Sequence, residues 1–319
     1  MIRRTWNALK SIGDIKDELI WKSRPPYRSP FPLTFPLDKG LTNRCFVRWP
    51  IAYEWATASN FVDDIRTGLA THVPVELADI TQGGQGVVCF ELVIDGRPHR
   101  ITIDYFDRFD VINQESLTSA AVYFKMQFHR DGYKSARVVP GGYVSGSSST
   151  YHYIAPLRSR ADQHRPLFDV YGRFGLTFAR EVRLNAVKAL REQSRFRYEG
   201  GASLVRYSRS LSEAGSARVG IDLPGNGDFC FRLVDYLAVG TAIVAVPHRT
   251  IMHVPLITGT HVAYCSSDLS DLIDICQYYL EHEDKRIELR NNARGYFDRF
   301  LHRDQLAAYY LSECLSRIS

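Results

Sequence analysis

The stretch RVGIDLPGNGDFCFRLVDYLAVGTAIVAV, residues 218–246, decides how this chain is read. Residues 219–223 and 241–246 are apolar on both faces, the mark of strands covered on each side in a parallel sheet. Between them lie a Pro-Gly-Asn-Gly loop, a short helix and a stop at Gly240. The loop then sits at the carboxyl edge of a strand, where open α/β sheets take their ligands. On the helix, Asp228, Arg232 and Asp235 are spaced four and three apart and share one face. Charges beside a glycine loop and a helix N-terminus suit the phosphates and ribose hydroxyls of a nucleotide.

Working outward, residues 165–175 (RPLFDVYGRFG) read as a strand with a glycine turn, followed by a helix over 176–192 and strand-like residues 195–198. Alternating strand and helix is the doubly wound pattern. Residues 145–165, opening SGSSST, change composition and read as an interdomain linker. Before them, residues 87–94 and 99–104 flank Asp95-Gly96 and predict a hairpin. A helix is expected near 57–69, another over 110–120 and a strand over 121–128. Residues 138–144 hold Pro140, Gly141 and Gly142, which suits an edge strand or loop. From 284 to 317 the pattern is helical.

The chain has 319 residues, 45% apolar and 24% charged, a composition that excludes disordered and fibrous classes. Its six cysteines (Cys45, Cys89, Cys230, Cys265, Cys276, Cys314) lack Cys-x-x-Cys spacing, which argues against a zinc site and for reduced thiols in a cytoplasmic setting. No apolar run approaches the ~18 residues of a membrane span. Residues 1–50 carry ten Lys/Arg against four Asp/Glu, while the whole chain is only +5, so the basic character belongs to the N-terminal arm. Within the arm, Ile2, Trp6, Leu9, Ile12, Ile15 and Leu19 recur at helical spacing. Such a helix over residues 1–22 could lie on an anionic membrane surface, or pack on the protein's own body. Residues 25–50 contain six of the fourteen prolines and predict an extended arm. Nucleic acid ranks below both as a partner.

The 218–246 stretch resembles the donor-binding half of GT-B-fold glycosyltransferases of the group 1 and exostosin-like type. Pro224, Gly225, Arg232, Leu233, Asp235 and Gly240 follow that order, and residues 253–272 and 291–301 continue the likeness. Two positions depart from it. Gly227 stands where many retaining members have the first Glu of a Glu-x7-Glu pair, and Cys230 where the exostosin-like pattern has Ser.

The resemblance implies an α/β, GT-B-like fold: two Rossmann-like domains facing a cleft, the N-terminal one small and atypical, with an N-terminal helical and proline-rich arm. The boundaries expected are residues 1–50 for the arm, 51–150 for an acceptor-side domain and 151–319 for a donor-binding domain whose terminal helix crosses back. It implies sugar transfer from a nucleotide-sugar donor, by default a UDP-sugar, to a hydroxyl on a carbohydrate or lipid-linked acceptor. Surface polysaccharide or glycolipid assembly is the expected setting, with the protein cytoplasmic and peripheral to the inner face of the membrane. No cofactor and no metal are expected.

Under this resemblance Asp235 contacts the ribose, and Arg232, Arg173 and Arg180 neutralise the diphosphate near Gly225 and Gly227. His253, with His248 as a second choice, lies in the loop over the donor. A base for the acceptor hydroxyl is sought in the first domain. Asp104, Asp107 and Asp110 stand three apart past a strand end, and His129 ends another strand. Each of these has a purely structural alternative: a helix ion pair for Asp235 and Arg232, a turn or cap for the aspartates. Three other functions share the pattern: a non-catalytic GT-B-fold binding module, a nucleotide-sugar epimerase, and sugar transfer to a modified nucleic-acid base.

Overall fold

Asp95 and Gly96 both take positive φ, 51° and 78°, as a two-residue hairpin loop of type I′ demands. They join β3 (Val87–Ile94) to β4 (Arg97–Asp104) in an antiparallel register running from Val87↔Asp104 to Ile94↔Arg97. The computed structural model describes residues 15, 16 and 18–318. Most of the stripe expected over residues 2–19, and with it most of the segment assigned to a membrane surface, lies outside them. No helix among the described residues is long and apolar enough to cross a membrane.

The hairpin is the centre of a six-stranded sheet ordered β2-β1-β3-β4-β5-β6. β1 (Cys45–Pro50) pairs parallel with β2 (Val75–Ala78) and antiparallel with β3. β5 (Val122–Lys125) and β6 (Val138–Pro140) extend it in parallel beyond β4. The mixed pairing is what makes this first unit atypical. Two features differ from the sequence reading. The sheet starts at Cys45, inside the stretch read as an arm, because Pro50 ends a strand there. Residues 150–163, read as linker, form a helix (Thr150–Gln163), since Tyr151, Ile154 and Leu157 line one buried face around Pro156.

The second sheet is wholly parallel and ordered β11-β10-β9-β7-β8. Its strands are β7 (Phe168–Arg173), β8 (Tyr198–Gly201), β9 (Ala217–Asp222), β10 (Ala242–Ala245) and β11 (Ala263–Tyr264). The chain leaves β7 outward to β8, returns to β9 on the other side, and winds on to β11. The order therefore reverses between β7 and β9, and a doubly wound sheet opens its ligand crevice at such a reversal.

One apolar cluster runs through both units, from Trp49, Phe90 and Phe124 to Leu233, Leu237 and Ile243. The last helix, Arg303–Ile318, returns to the first unit. There Gly68 lets it close in: a Cβ at residue 68 would stand 2.3 Å from the Arg303 carbonyl oxygen.

Candidate functional site

The carboxyl ends of β7 and β9 lie side by side, and a buried arginine, Arg183, meets a half-buried one, Arg232, there. Arg183 reaches from the helix Arg180–Glu192 and donates from Nη1 to the Gly175 carbonyl (2.5 Å) and from Nε to the Pro224 carbonyl (2.9 Å). It thus ties together the loops that leave the two strands. Arg232, in the first turn of the helix Phe231–Val239, donates to Asp222 Oδ1 (3.2 Å) and to the Leu223 carbonyl (3.1 Å). Its guanidinium also lies 4.8 Å from the centre of the Phe174 ring, a favourable cation–π distance.

Asp222 ends β9 and is 1% exposed. Burial pushes its carboxyl up to about 6, against the pull of Arg232 and Arg183. Its Oδ2 finds no hydrogen bond among the described residues, with His248 Nε2 4.0 Å away. Burial holds that imidazole down at about 4, so it stays neutral. Burial, together with the charge of Arg232, also lowers the Arg183 pKa. Two guanidiniums are therefore gathered around one ion-paired carboxylate, a local surplus of positive charge suited to an anion.

The loop 224–230 covers this cluster and meets the first unit. Gln127 donates from Nε2 to the Phe229 carbonyl (2.9 Å) and accepts from Phe229 N (3.1 Å), so its amide holds the loop as a strand partner would. At Gly227 an added Cβ would fall 2.5 Å from Gln127 Nε2 and 2.6 Å from the Asp107 carbonyl oxygen. Only glycine permits that approach. Asp107 is half-buried, and burial raises its pKa while a hydrogen bond with Asn226 and the charge of Lys125 oppose the rise. Cys230 donates from Sγ to the Leu223 carbonyl (3.2 Å), and burial pushes its thiol up to about 12.

Of the residues singled out in the sequence, Arg232, Gly225, Gly227 and Asp107 come together here. Gly225 donates its N–H to the Gly227 carbonyl (2.9 Å), and a Cβ added there would lie 3.4 Å from Cys230 Sγ and 3.5 Å from Arg183 Nη2. Arg180 lies one turn before Arg183 on the same helix and lines an open groove of about 400 Å³, whose other wall is Ser267–Leu269. Ala179, the residue before the helix, has φ 45° and a side chain that caps no N–H, so first-turn N–H groups stand at the groove.

The others are placed differently. Asp235 is 7% exposed, and its Oδ1 accepts from Gly146 N (3.0 Å) and the Tyr207 hydroxyl (2.7 Å). It faces the loop before the helix Thr150–Gln163 rather than the β7–β9 reversal. Burial raises its carboxyl to about 7, against those two bonds and the charge of Arg232. Arg173 is matched by Glu213 (2.7 Å) and Glu199 (2.9 Å). His253 stacks on Tyr309 at 4.3 Å, and neither ring nitrogen has a partner among the described residues. Burial drives its pKa down to about 3.

Asp104 is enclosed with Lys125 (2.9 Å) and the Tyr123 hydroxyl (2.5 Å), a buried ion pair that cannot meet a substrate intact. His129 stacks on Phe109 at 4.8 Å and pairs as a bridge with Thr250. Among the described residues, no three of His, Cys, Asp or Glu are grouped to hold a metal ion. Asp222, Arg183 and Gln127 went unread in the sequence. The available signal was the spacing of Arg183 three residues after Arg180, which puts both on one helix face.

No family model and no curated protein matches this chain. Among solved structures it is similar to Anabaena HepE in complex with UDP, at 16% identity and a TM-score of 0.39, over 63% of this chain and 66% of that one. The same protein with UDP-glucose gives 15% and 0.36 over 63% and 66%, and with UDP and glucose 14% and 0.37 over 63% and 65%. The match therefore spans less than two thirds of those chains. TM-scores this low carry neither fold nor ligand over to this chain.

Proposed function

We propose that the protein is a glycosyltransferase that draws its sugar from a nucleoside diphosphate donor. The observation that carries the reading is the pair Arg183 and Arg232 at the reversal of a parallel sheet, Arg232 bonded to Asp222 and Arg183 held only by backbone carbonyls. A diphosphate placed there meets two guanidiniums, the first turn of the helix Arg180–Glu192 and the glycine loop. The nucleoside lies in the groove beside Arg180, with uridine as the default base.

In the reaction, the bond between the sugar's anomeric carbon and the diphosphate oxygen breaks. The leaving charge is held by the arginines, which act as preorganised positive charge. The acceptor hydroxyl, on a carbohydrate or a lipid-linked sugar, forms the new bond and gives its proton to Asp107. A carboxylate whose pKa burial has raised is a better base than an exposed one. The chain's path to this state moves the loop 224–230 away from Gln127. Asp235 acts through the loop it anchors; as a ribose contact it would first have to release Tyr207 and Gly146.

One observation favours a second reading. The arginines lie beneath a loop fastened by Gln127, as in a non-catalytic binding module. Titration calorimetry with UDP, followed by donor turnover with Asp107→Asn, separates the two. A transferase binds UDP and loses roughly 10²-fold or more in kcat in Asp107→Asn with donor binding kept. A module binds UDP without turnover in either form. The absence of binding to any nucleoside diphosphate overturns both.

A further inference from the structure

At the opposite end of the second sheet, where its strands begin, lies a partly open cavity of about 240 Å³. Arg160 and Arg165 reach it from the end of the helix Thr150–Gln163 and the residues after it. Arg218 comes from the start of β9, and Arg286 and Arg290 from one face of the helix Glu283–Tyr296. We propose that this cavity is a binding site for a phosphate-bearing anion, separate from the donor crevice.

Three observations carry the inference. Arginines from three elements converge on one void, although like charges in low dielectric repel. Arg286 is 8% exposed, yet its Nε, like that of Arg290, has no acceptor among the described residues. A buried unsatisfied guanidinium nitrogen costs free energy that a bound anion can return. Finally, none of the carboxylates that pair with these arginines lines the cavity. Glu283 pairs with Arg286 at 2.7 Å with its side chain 74% exposed. Asp162 is shared between Arg290 and Arg294, and Asp169 stands 3.6 Å from Arg218. The crowding is felt next door, where burial and the charge of Arg290 lower Arg294 to about 10.

Phosphate is the class that fits. Guanidiniums bind its oxygens in pairs, and the cavity holds a group of that size with part of its bearer against Pro166 and Leu167. The bearer is a free phosphorylated metabolite or a phospholipid headgroup. Arg160 also lies 5.4 Å from the Trp21 ring, which places the cavity beside the N-terminal segment.

The test is a thermal melt of the full chain with inorganic pyrophosphate, against potassium chloride at equal ionic strength. With saturating UDP present to occupy the donor crevice, pyrophosphate should raise the wild-type midpoint beyond UDP and the salt control. The response should weaken at least ten-fold in apparent affinity in Arg286→Gln and in the peripheral double variant Arg165→Gln/Arg218→Gln. It should persist in Arg232→Gln, which lies in the donor crevice, so that failure of this site and failure of the donor reading are told apart. A response lost in Arg232→Gln and kept in the cavity variants overturns the proposal, as does no response beyond salt. Sedimentation with phosphatidylglycerol vesicles assigns the source: binding that pyrophosphate displaces means a lipid headgroup, and stabilisation without vesicle binding means a free phosphate.

Discussion

Arg232 pairs with Asp222 at 3.2 Å, and the two join the helix after the glycine loop to the strand before it. The bond is enclosed: the arginine side chain is 16% exposed and the aspartate 1%. A buried pair of this kind contributes little net stability while intact, but breaking it leaves a charge without its partner.

Arg232→Gln should therefore destabilise the fold by about 3–5 kcal/mol and weaken nucleoside diphosphate binding at least about ten-fold. Asp222→Asn added to it removes the stranded charge. The double variant should regain much of the stability in urea melts while calorimetry still shows weak binding. Recovery of binding along with stability would mean that Arg232 only supports Asp222 and does not touch the ligand.

Much of the fold could be read from residues alone. Asp95-Gly96 marked the hairpin because few pairs tolerate two positive φ angles, and the runs 219–223 and 241–246 marked a covered parallel sheet. The helix Thr150–Gln163 was not legible, since a serine run and Pro156 outweigh a buried face that exists only once Tyr151 and Leu157 have neighbours. The candidate site was half legible. Arg232 and Gly227 stood out by spacing, but Arg183 and Asp222 meet only when strands distant in sequence lie side by side. Asp235 misled for a related reason. From Leu233 to Val239 the helix is buried at every position, so spacing could not tell a ligand-facing carboxylate from one facing its own protein.

Asp235 makes its own pH prediction. Its carboxyl titrates at about 7 in the fold, against about 3.9 in an unfolded chain. Between those values the native state holds the extra proton, so stability from this group is whole below about pH 4 and is lost as pH rises to about 7. His248 and His253, lowered by burial, act in the opposite sense as pH falls below about 6.5. The difference between wild type and Asp235→Asn isolates the carboxyl. That difference should fall against the wild type from pH 4.5 to 7 and level off above; a flat difference would mean that Asp235 titrates near its unfolded value.

Gly227 sits where the loop touches the first unit. In Gly227→Ala the new methyl meets both a side chain that can turn, Gln127, and a backbone oxygen that cannot, that of Asp107. Overpacking of this kind costs about 1–3 kcal/mol. Gln127→Ala on top of it should relieve only part of the loss in a denaturant melt. Complete relief would place the whole conflict on the Gln127 amide.

One face of the second sheet shares its cluster with the first, while its other face packs a separate one around Val170, Ile221 and Val244; Tyr310 ties the last helix to the first sheet. Its ring stacks on Phe124 of the first sheet at 3.9 Å, and its hydroxyl donates to the Gly141 carbonyl at 2.8 Å. The helix that carries it begins against Gly68, while Leu306 and Leu311 in the same helix belong to the cluster that includes Leu233 and Leu237. An apolar cluster that runs through both units couples their unfolding, because neither can expose its share alone. Calorimetry should thus record one transition for the whole chain. Tyr310→Ala, which empties a fully packed site at a cost of about 3–5 kcal/mol, should move that transition as a unit. Two transitions, with only the first unit's shifted, would show that the second sheet's own cluster around Val170, Ile221 and Val244 holds it folded alone and that the terminal helix is a strap rather than a shared layer.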